Sequence, residues 1–388
     1  DMNFQISTAK KDIEMEFEGA LPTTIYSYHN FSEVYGKSPD IDSTALMVST
    51  TSFILNSLLW QGEHTISSTT HQHLGAKLEP DKRSEIVDHL VPRMTNAMDY
   101  LLKRDIDNDC LLEQNYNEDW MDTALRAGKI VYSQATWILA LKNFSTLLFE
   151  IGNEKTKAKR TLHSAQKSID AVDQKLWSKI RNCYVDHIQA ENYTNFESGI
   201  ITQDVLSFLF AIAENEFPKK SAKNHEYIEV NANDYNKDDN CVFSNNNNIG
   251  TNMQNKSSIH QRGIETLDTI RKKIWKAGWP LVTESQLSKT GPAILKPNEY
   301  HNYTCWPWMT ATEMLARSRF DRLEKQDLLL LSELISKDNG YAFYEWIDPS
   351  TETGYGAFPF RTGISCIRLA LRDIIKGWDK NTYEYCPG

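Results

Sequence analysis

Two stretches of the chain set acidic side chains among aromatic rings. The first is Glu113-Gln-Asn-Tyr-Asn-Glu-Asp-Trp-Met-Asp122. The second is Gly340-Tyr-Ala-Phe-Tyr-Glu-Trp-Ile-Asp-Pro349, followed by Thr353-Gly-Tyr-Gly356. An acid flanked by Trp and Tyr is costly to desolvate unless it is paired or used. Cleaving a glycosidic bond uses two such groups. One stays protonated in a partly desolvated pocket and donates to the leaving oxygen; the other activates water or attacks carbon. Asp122 and Glu345 are the candidates, and they lie so far apart in sequence that they meet only if the chain closes on itself. Each has a plainer alternative when taken alone: Asp119 or Asp122 as a helix N-cap or solvated loop acid, and Glu345 likewise.

Two further stretches join them. Tyr300-His-Asn-Tyr-Thr-Cys-Trp-Pro-Trp308 opens a helix with polar groups and two Trp, so His301 and Asn302 could bond sugar hydroxyls. The alternative is a helix start with Pro307 in its first turn and the Trp rings packed inside. Tyr35-Gly-Lys-Ser-Pro-Asp-Ile-Asp-Ser43 places Asp40 and Asp42 at the end of another long loop. Asp42 is a candidate substrate contact, although taken alone it reads better as the N-cap of the next helix. Asp105-Ile-Asp-Asn-Asp109 has a faint calcium-loop look but lacks the central Gly and the Glu at the twelfth position. His71 and His73 have no third partner nearby, so neither a catalytic metal nor a cofactor is expected.

The composition sets limits. The chain has 388 residues, 40% hydrophobic and 24% charged, enough for one large core. Its net charge is −10 with no basic cluster, which argues against nucleic acid as a partner. The six cysteines (Cys110, Cys183, Cys241, Cys305, Cys366 and Cys386) are scattered without zinc spacing and read as free thiols of a reducing compartment. The opening residues are charged and helical, unlike a signal peptide, and no apolar run reaches the roughly 18 residues of a membrane span. A soluble, cytoplasmic protein is expected, without a membrane partner. The 10 Trp, 17 Tyr and 15 Phe are the unusual feature, many of them in loops beside acids. Large cores use such residues, and sugars stack their C–H faces on them.

The elements that must position these groups are helical. Apolar periodicity predicts helices at 5–18, 42–61, 82–104, 132–152, 155–177, 202–215, 259–277, 305–318, 321–336 and 361–377. Strand alternation is scarce; 182–188 and 341–347 read as loop hairpins. Long loops (19–41, 105–131, 278–304, 338–360) alternate with tight connections (152–155, 318–321), the pattern of helical hairpins with one functional rim. Residues 219–258 are polar and Asn-rich, and read as a flexible insertion within a single domain.

In order along the chain stand Gly19-Ala-Leu-Pro22 before Asp42, Trp120-Met-Asp122, Gly128-Lys129, Thr136-Trp-Ile-Leu-Ala-Leu141, His301 through Pro307, and Tyr344-Glu-Trp-Ile-Asp348. Each motif is loose, but the ordered set resembles the six-hairpin glycosidases: the amylo-1,6-glucosidase domain of glycogen debranching enzymes, glycoside hydrolase family 63 and the neutral invertases. The resemblance implies an all-α (α/α)6 toroid and an inverting hydrolysis of an α-glucoside or related α-linked sugar. It implies Asp122 as general acid and Glu345 as general base, roughly 6.5–9.5 Å apart. It also implies Tyr116, Trp120, Gln134, His301, Trp306 and Trp308 as sugar contacts, with Asp119 standing in for Asp122 if the register slips. Two departures stand out: no β-sandwich precedes the helices, and the toroid's first helix has no counterpart. The chain is then a fragment, or a second copy or partner chain completes its ring, or the site is altered. The rival readings are a non-catalytic sugar-binding or scaffold protein on the same fold and a sugar epimerase or isomerase, which needs paired histidines where only His301 is well placed.

Overall fold

The structure, a computed structural model, describes residues 17–26, 31–60, 80–151, 154–190, 199–213, 252–287, 290, 295–336 and 340–382. The expected helix at 5–18 lies outside these apart from its last two residues, which form a turn, and the insertion at 219–258 lies outside them up to residue 251. Among the described residues there are nine α-helices. These are α1 (Ile41–Trp60), α2 (Pro80–Leu102), α3 (Val131–Glu150), α4 (Lys155–Lys175) and α5 (Val205–Ala213), then α6 (Asn252–Lys273), α7 (Pro307–Arg319), α8 (Lys325–Leu334) and α9 (Arg361–Thr382). The other nine predicted helices are all present. No described helix is long and apolar enough to cross a membrane.

The chain divides into two compact units, one drawn from the described residues of 1–122 and 136–171, the other from those of 123–135, 172–220 and 246–388. In the first, α1 packs on α2. Its core joins Val48, Met94 and Leu101 to Trp137, Phe144 and Leu148. Helix α4 has one buried face: Ala158, Ala165, Ile169 and Val172 are buried at helical spacing, while Lys155, Arg160, Gln166 and Lys175 are exposed. In the second unit α7 takes both α5 and α9 against it. The core there is built from Met314, Leu331, Ala342, Ile347, Ile367 and Ile374. Pro307 sits in the first turn of α7, where its missing N–H costs nothing. Helix α8 starts on a reciprocal capping box between Glu324 and Asp327.

Sheet is confined to two-stranded ribbons: β1 (Thr24–Tyr26) with β2 (Phe31–Glu33), β3 (Gly128–Ile130) with β6 (His187–Gln189), β4 (Trp177–Ser178) with β5 (Cys183–Tyr184), β7 (Trp275–Lys276) with β8 (Trp279–Pro280), and β9 (Trp346–Asp348) with β10 (Thr353–Tyr355). Two differ from the sequence expectation. Helix α6 stops at Lys273 because Ala277 (φ 49°) and Gly278 (φ 88°) close a two-residue turn between β7 and β8. The stretch 341–347 begins as a 3-10 turn, Tyr341–Phe343, after Gly340 in the left-handed region, and only then becomes extended.

Candidate active site

In the first unit the loop from Gln114 to Asp122 is neither helix nor strand, so its backbone N–H groups need partners. Carboxylates provide them. Glu118, fully buried, accepts Ser38 N at 2.8 Å and Asn115 Nδ2 at 2.6 Å on Oε1, and Asn115 N at 2.8 Å and Arg104 Nη2 at 2.5 Å on Oε2. Asp119, also buried, accepts Met121 N at 2.9 Å and Gln114 Nε2 at 2.6 Å. Asp42 accepts Ser43 N at 2.6 Å and Trp120 N at 3.0 Å. Asp42 is therefore not the N-cap of α1: the helix begins one residue before it, and Asp40 holds the preceding position. Burial, then the charges of Asp40 and Asp119, push Asp42 well above the usual carboxylate range. Burial, outweighing the Thr23 hydroxyl that bonds it at 2.8 Å, raises Asp40 to about 7, with Asp119, Glu118 and Asp122 adding to the rise. Tyr116, near the start of this loop, and Trp120 and Asp122, at its end, are half-buried.

In the second unit the structure brings Tyr300, His301, Trp306 and Glu345 together. Tyr300 stands at φ 50°, and its ring lies 4.1 Å from that of His301, which stacks on Trp306 at 4.7 Å and 23°. Trp306 Nε1 donates to Tyr300 O at 3.0 Å and locks the turn. His301 Nδ1 lies 2.9 Å from the Thr123 hydroxyl. Burial, then the nearby Arg126, lower His301 well below its ordinary value, so the ring is neutral. Glu345 is half-buried between Tyr344 and Trp346; its Oε2 accepts Ala357 N at 2.8 Å, and the Tyr300 hydroxyl donates to Oε1 at 3.4 Å. Gly356 (φ 78°) passes so close that an added Cβ would stand 2.4 Å from Glu345 Oε2. Asn302 is fully buried and braces its own neighbourhood: Oδ1 accepts Leu287 N at 2.7 Å, and Nδ2 donates to Leu287 O and Leu295 O. Gln134 is buried in the first turn of α3, and Trp308 sits half-buried with its edge to Tyr132.

The loops of this second unit are tied to one another through their backbones. Strand β3 pairs with β6, Asp186 N donates to Ile200 O, Gln203 N to Val282 O, Val282 N to Thr304 O, and Cys305 exchanges both bonds with Ile347. A buried ion cluster lies along the same path: Arg126 Nη1 reaches Asp186 at 2.7 Å and Asp204 at 2.6 Å, and Asp186 also meets His187 at 2.9 Å and the Thr202 hydroxyl at 2.5 Å. Burial alone would raise Asp186, but Arg126, His187 and Thr202 outweigh it and hold the acid at about 2.

Glu118, Thr123, Arg126 and Asp186 were not singled out from sequence. Glu118 lies inside the first acidic and aromatic stretch, and the backbone demand of a nine-residue irregular loop is the sequence signal that points to it. Asp105, Asp107 and Asp109 bring their ligand oxygens within 4.8 Å of one another, and two of them also accept N–H groups of their own turn, Asp105 from Asp109 and Cys110, and Asp109 from Leu111. Cys110, Cys183, Cys305 and Cys366 are free thiols, and burial pushes Cys183 and Cys305 up to about 12.

Solved structures share this arrangement of elements. The GH63 mannosylglycerate hydrolase of Thermus thermophilus, in complex with glucose, aligns over 95% of this chain and 92% of its own at a TM-score of 0.54 and 13% identity. A bacterial glucoamylase complexed with acarbose aligns over 97% of this chain and 45% of its own, with a TM-score of 0.55 and 11% identity. The fold is that of the six-hairpin glycosidases. A rhamnosidase from Klebsiella oxytoca with rhamnose bound also carries the six-hairpin fold, over 90% of this chain and 50% of its own at a TM-score of 0.50 and 10% identity. No protein-family profile and no curated protein sequence matches the chain.

Proposed function

We propose that this protein is an inverting glycoside hydrolase acting on an α-glucoside or related α-linked sugar, with Asp122 as general acid and Glu345 as general base. Asp122 donates its proton to the glycosidic oxygen as the bond to the anomeric carbon breaks. Glu345 takes a proton from the water that attacks that carbon from the opposite face, so the configuration inverts. The observation that carries this reading is the setting of Glu345: half-buried, flanked by Tyr344 and Trp346, with one oxygen on Ala357 N and the other facing the Tyr300 hydroxyl beside the His301–Trp306 stack. One oxygen is thereby oriented by a backbone donor, which helps hold the carboxylate in one pose, as a general base within hydrogen-bond reach of its water requires. The six-hairpin fold, shared with a mannosylglycerate hydrolase and a glucoamylase, supports the same class of reaction. The free thiols fit work in the reducing cytoplasm.

The test is hydrolysis of a panel of α-glucosides and α-mannosides, 1,6-linked branches included, with the first-formed anomer read by NMR. The β-anomer is expected from an active α-substrate. Asp122→Asn and Glu345→Gln should each lower kcat by about 10²–10⁴-fold with the circular dichroism unchanged. Near-normal turnover in both amide variants refutes the assignment of roles, and a first-formed α-anomer refutes inversion. Binding of sugars without hydrolysis of any panel member points instead to a carbohydrate-binding protein.

A further inference from the structure

We infer that Glu118 is a positioning residue for proton donation: its buried carboxylate sets the conformation of the loop that ends at Asp122. The inference rests on the role proposed above for Asp122. Glu118 is fully buried, and both of its oxygens are occupied by a total of four donors, two of them main-chain N–H groups of residues distant in sequence from each other, Ser38 and Asn115. Its own carbonyl accepts Ile41 N at 3.1 Å, so the same residue fixes the start of α1 against the loop twice. From there Asp42 reaches back to Trp120 N at 3.0 Å, two residues before Asp122. The loop has no helix or strand to hold it, and Asn117 stands in the left-handed region at φ 64°. A carboxylate with converging donors is what gives such a segment a single conformation, since charge-assisted hydrogen bonds are roughly twice as strong as neutral ones. An amide in its place would turn an NH2 group toward donors and loosen the loop. A displacement of about 1 Å in a catalytic group costs on the order of 10²-fold in rate.

The test separates proton donation from general integrity. A methyl α-glucoside loses methanol, whose oxygen takes the proton from the acid as the C–O bond breaks, whereas an α-glucosyl fluoride loses fluoride as the anion. In both, Glu345 accepts the proton of the attacking water. Glu118→Gln should lower kcat on the methyl glucoside by about 10²-fold while keeping the fluoride rate within about threefold, with KM little changed on either. Asn115→Ala, which removes one side-chain donor to Glu118 and leaves the backbone N–H in place, should shift the same ratio by about fivefold. It carries the comparison should the Glu118 variant fail to fold. Equal losses on the two substrates in the folded variants overturn the inference alone and make Glu118 a stabilising residue only. Where an α-mannoside is the panel member cleaved, the methyl mannoside and mannosyl fluoride take the place of this pair, and failure of the unsubstituted protein to cleave any panel member overturns the proposed hydrolysis together with this role.

Discussion

The carboxylates of this protein differ less in sequence than in what surrounds them. Glu118, Asp119 and Asp122 lie within five residues, yet the first two are buried with N–H donors on both oxygens while the third stands half-buried at the loop's end. Glu345 owes its pose to a missing side chain. At Gly356 the left-handed φ of 78° and the 2.4 Å approach to Glu345 Oε2 both exclude a methyl group. Gly356→Ala is therefore expected to lower kcat by about tenfold or more, through displacement of Glu345, at a stability cost of only about 1 kcal/mol. Parallel kinetics and urea unfolding would decide it; unchanged kcat would mean that Glu345 needs no such precise seat. Aromatic flanks made Asp122 and Glu345 the candidates in the sequence. Glu118 was not, because nothing in a string of letters says which of three acids turns inward. Asn302 shows the converse: its polar type suggested a sugar contact, but three backbone groups of residues 287 and 295 use its amide.

At the scale of elements, helices were readable because their signal is local. Ala158, Ala165, Ile169 and Val172 of α4 repeat on one face whatever the rest of the chain does. The short ribbons were not. The Ala277-Gly278 turn that ends α6 lacks the usual Asn-Gly pattern, and β3 finds its partner β6 only across a long stretch of intervening chain. The Arg126 cluster is similarly non-local. Arg126→Met takes the cation away from Asp186 and Asp204, and breaking a buried ionic cluster in this way is expected to cost about 3–5 kcal/mol near neutral pH. The sign of its pH dependence follows from Asp186, whose folded value of about 2 lies below the ordinary 3.8. Such a group contributes stability above about pH 4 and loses it as pH falls toward 2. The deficit of Arg126→Met should accordingly shrink between pH 4 and 2. Denaturant titrations across that range check this, and a constant deficit would show that the ion pair is not its source.

For the molecule as a whole, buried acids and a buried histidine give stability opposite slopes. Asp40, raised from 3.8 to about 7, contributes stability that is present below pH 4 and lost as pH climbs through 7. His301, lowered well below 6.5, contributes above 6.5 and loses it as pH falls beneath that value. Asp42 is raised in the same sense, and Asp40→Asn removes the share of the slope that Asp40 carries, so the gap in Tm between variant and unsubstituted protein should widen in the variant's favour from pH 4 to pH 7. A gap that stays flat would mean Asp40 is ionised throughout. The backbone bonds that run from Val131 through Gln203, Val282, Cys305 and Ile347 have another consequence. Amides in surface loops normally trade their hydrogens with solvent quickly, because small local openings free them. Here each of those amides is held by a carbonyl of the next loop, so none is released unless its neighbour also moves. In deuterated buffer they should retain hydrogen about as long as the interior of α7 does, although they belong to loops, a helix end and a short ribbon.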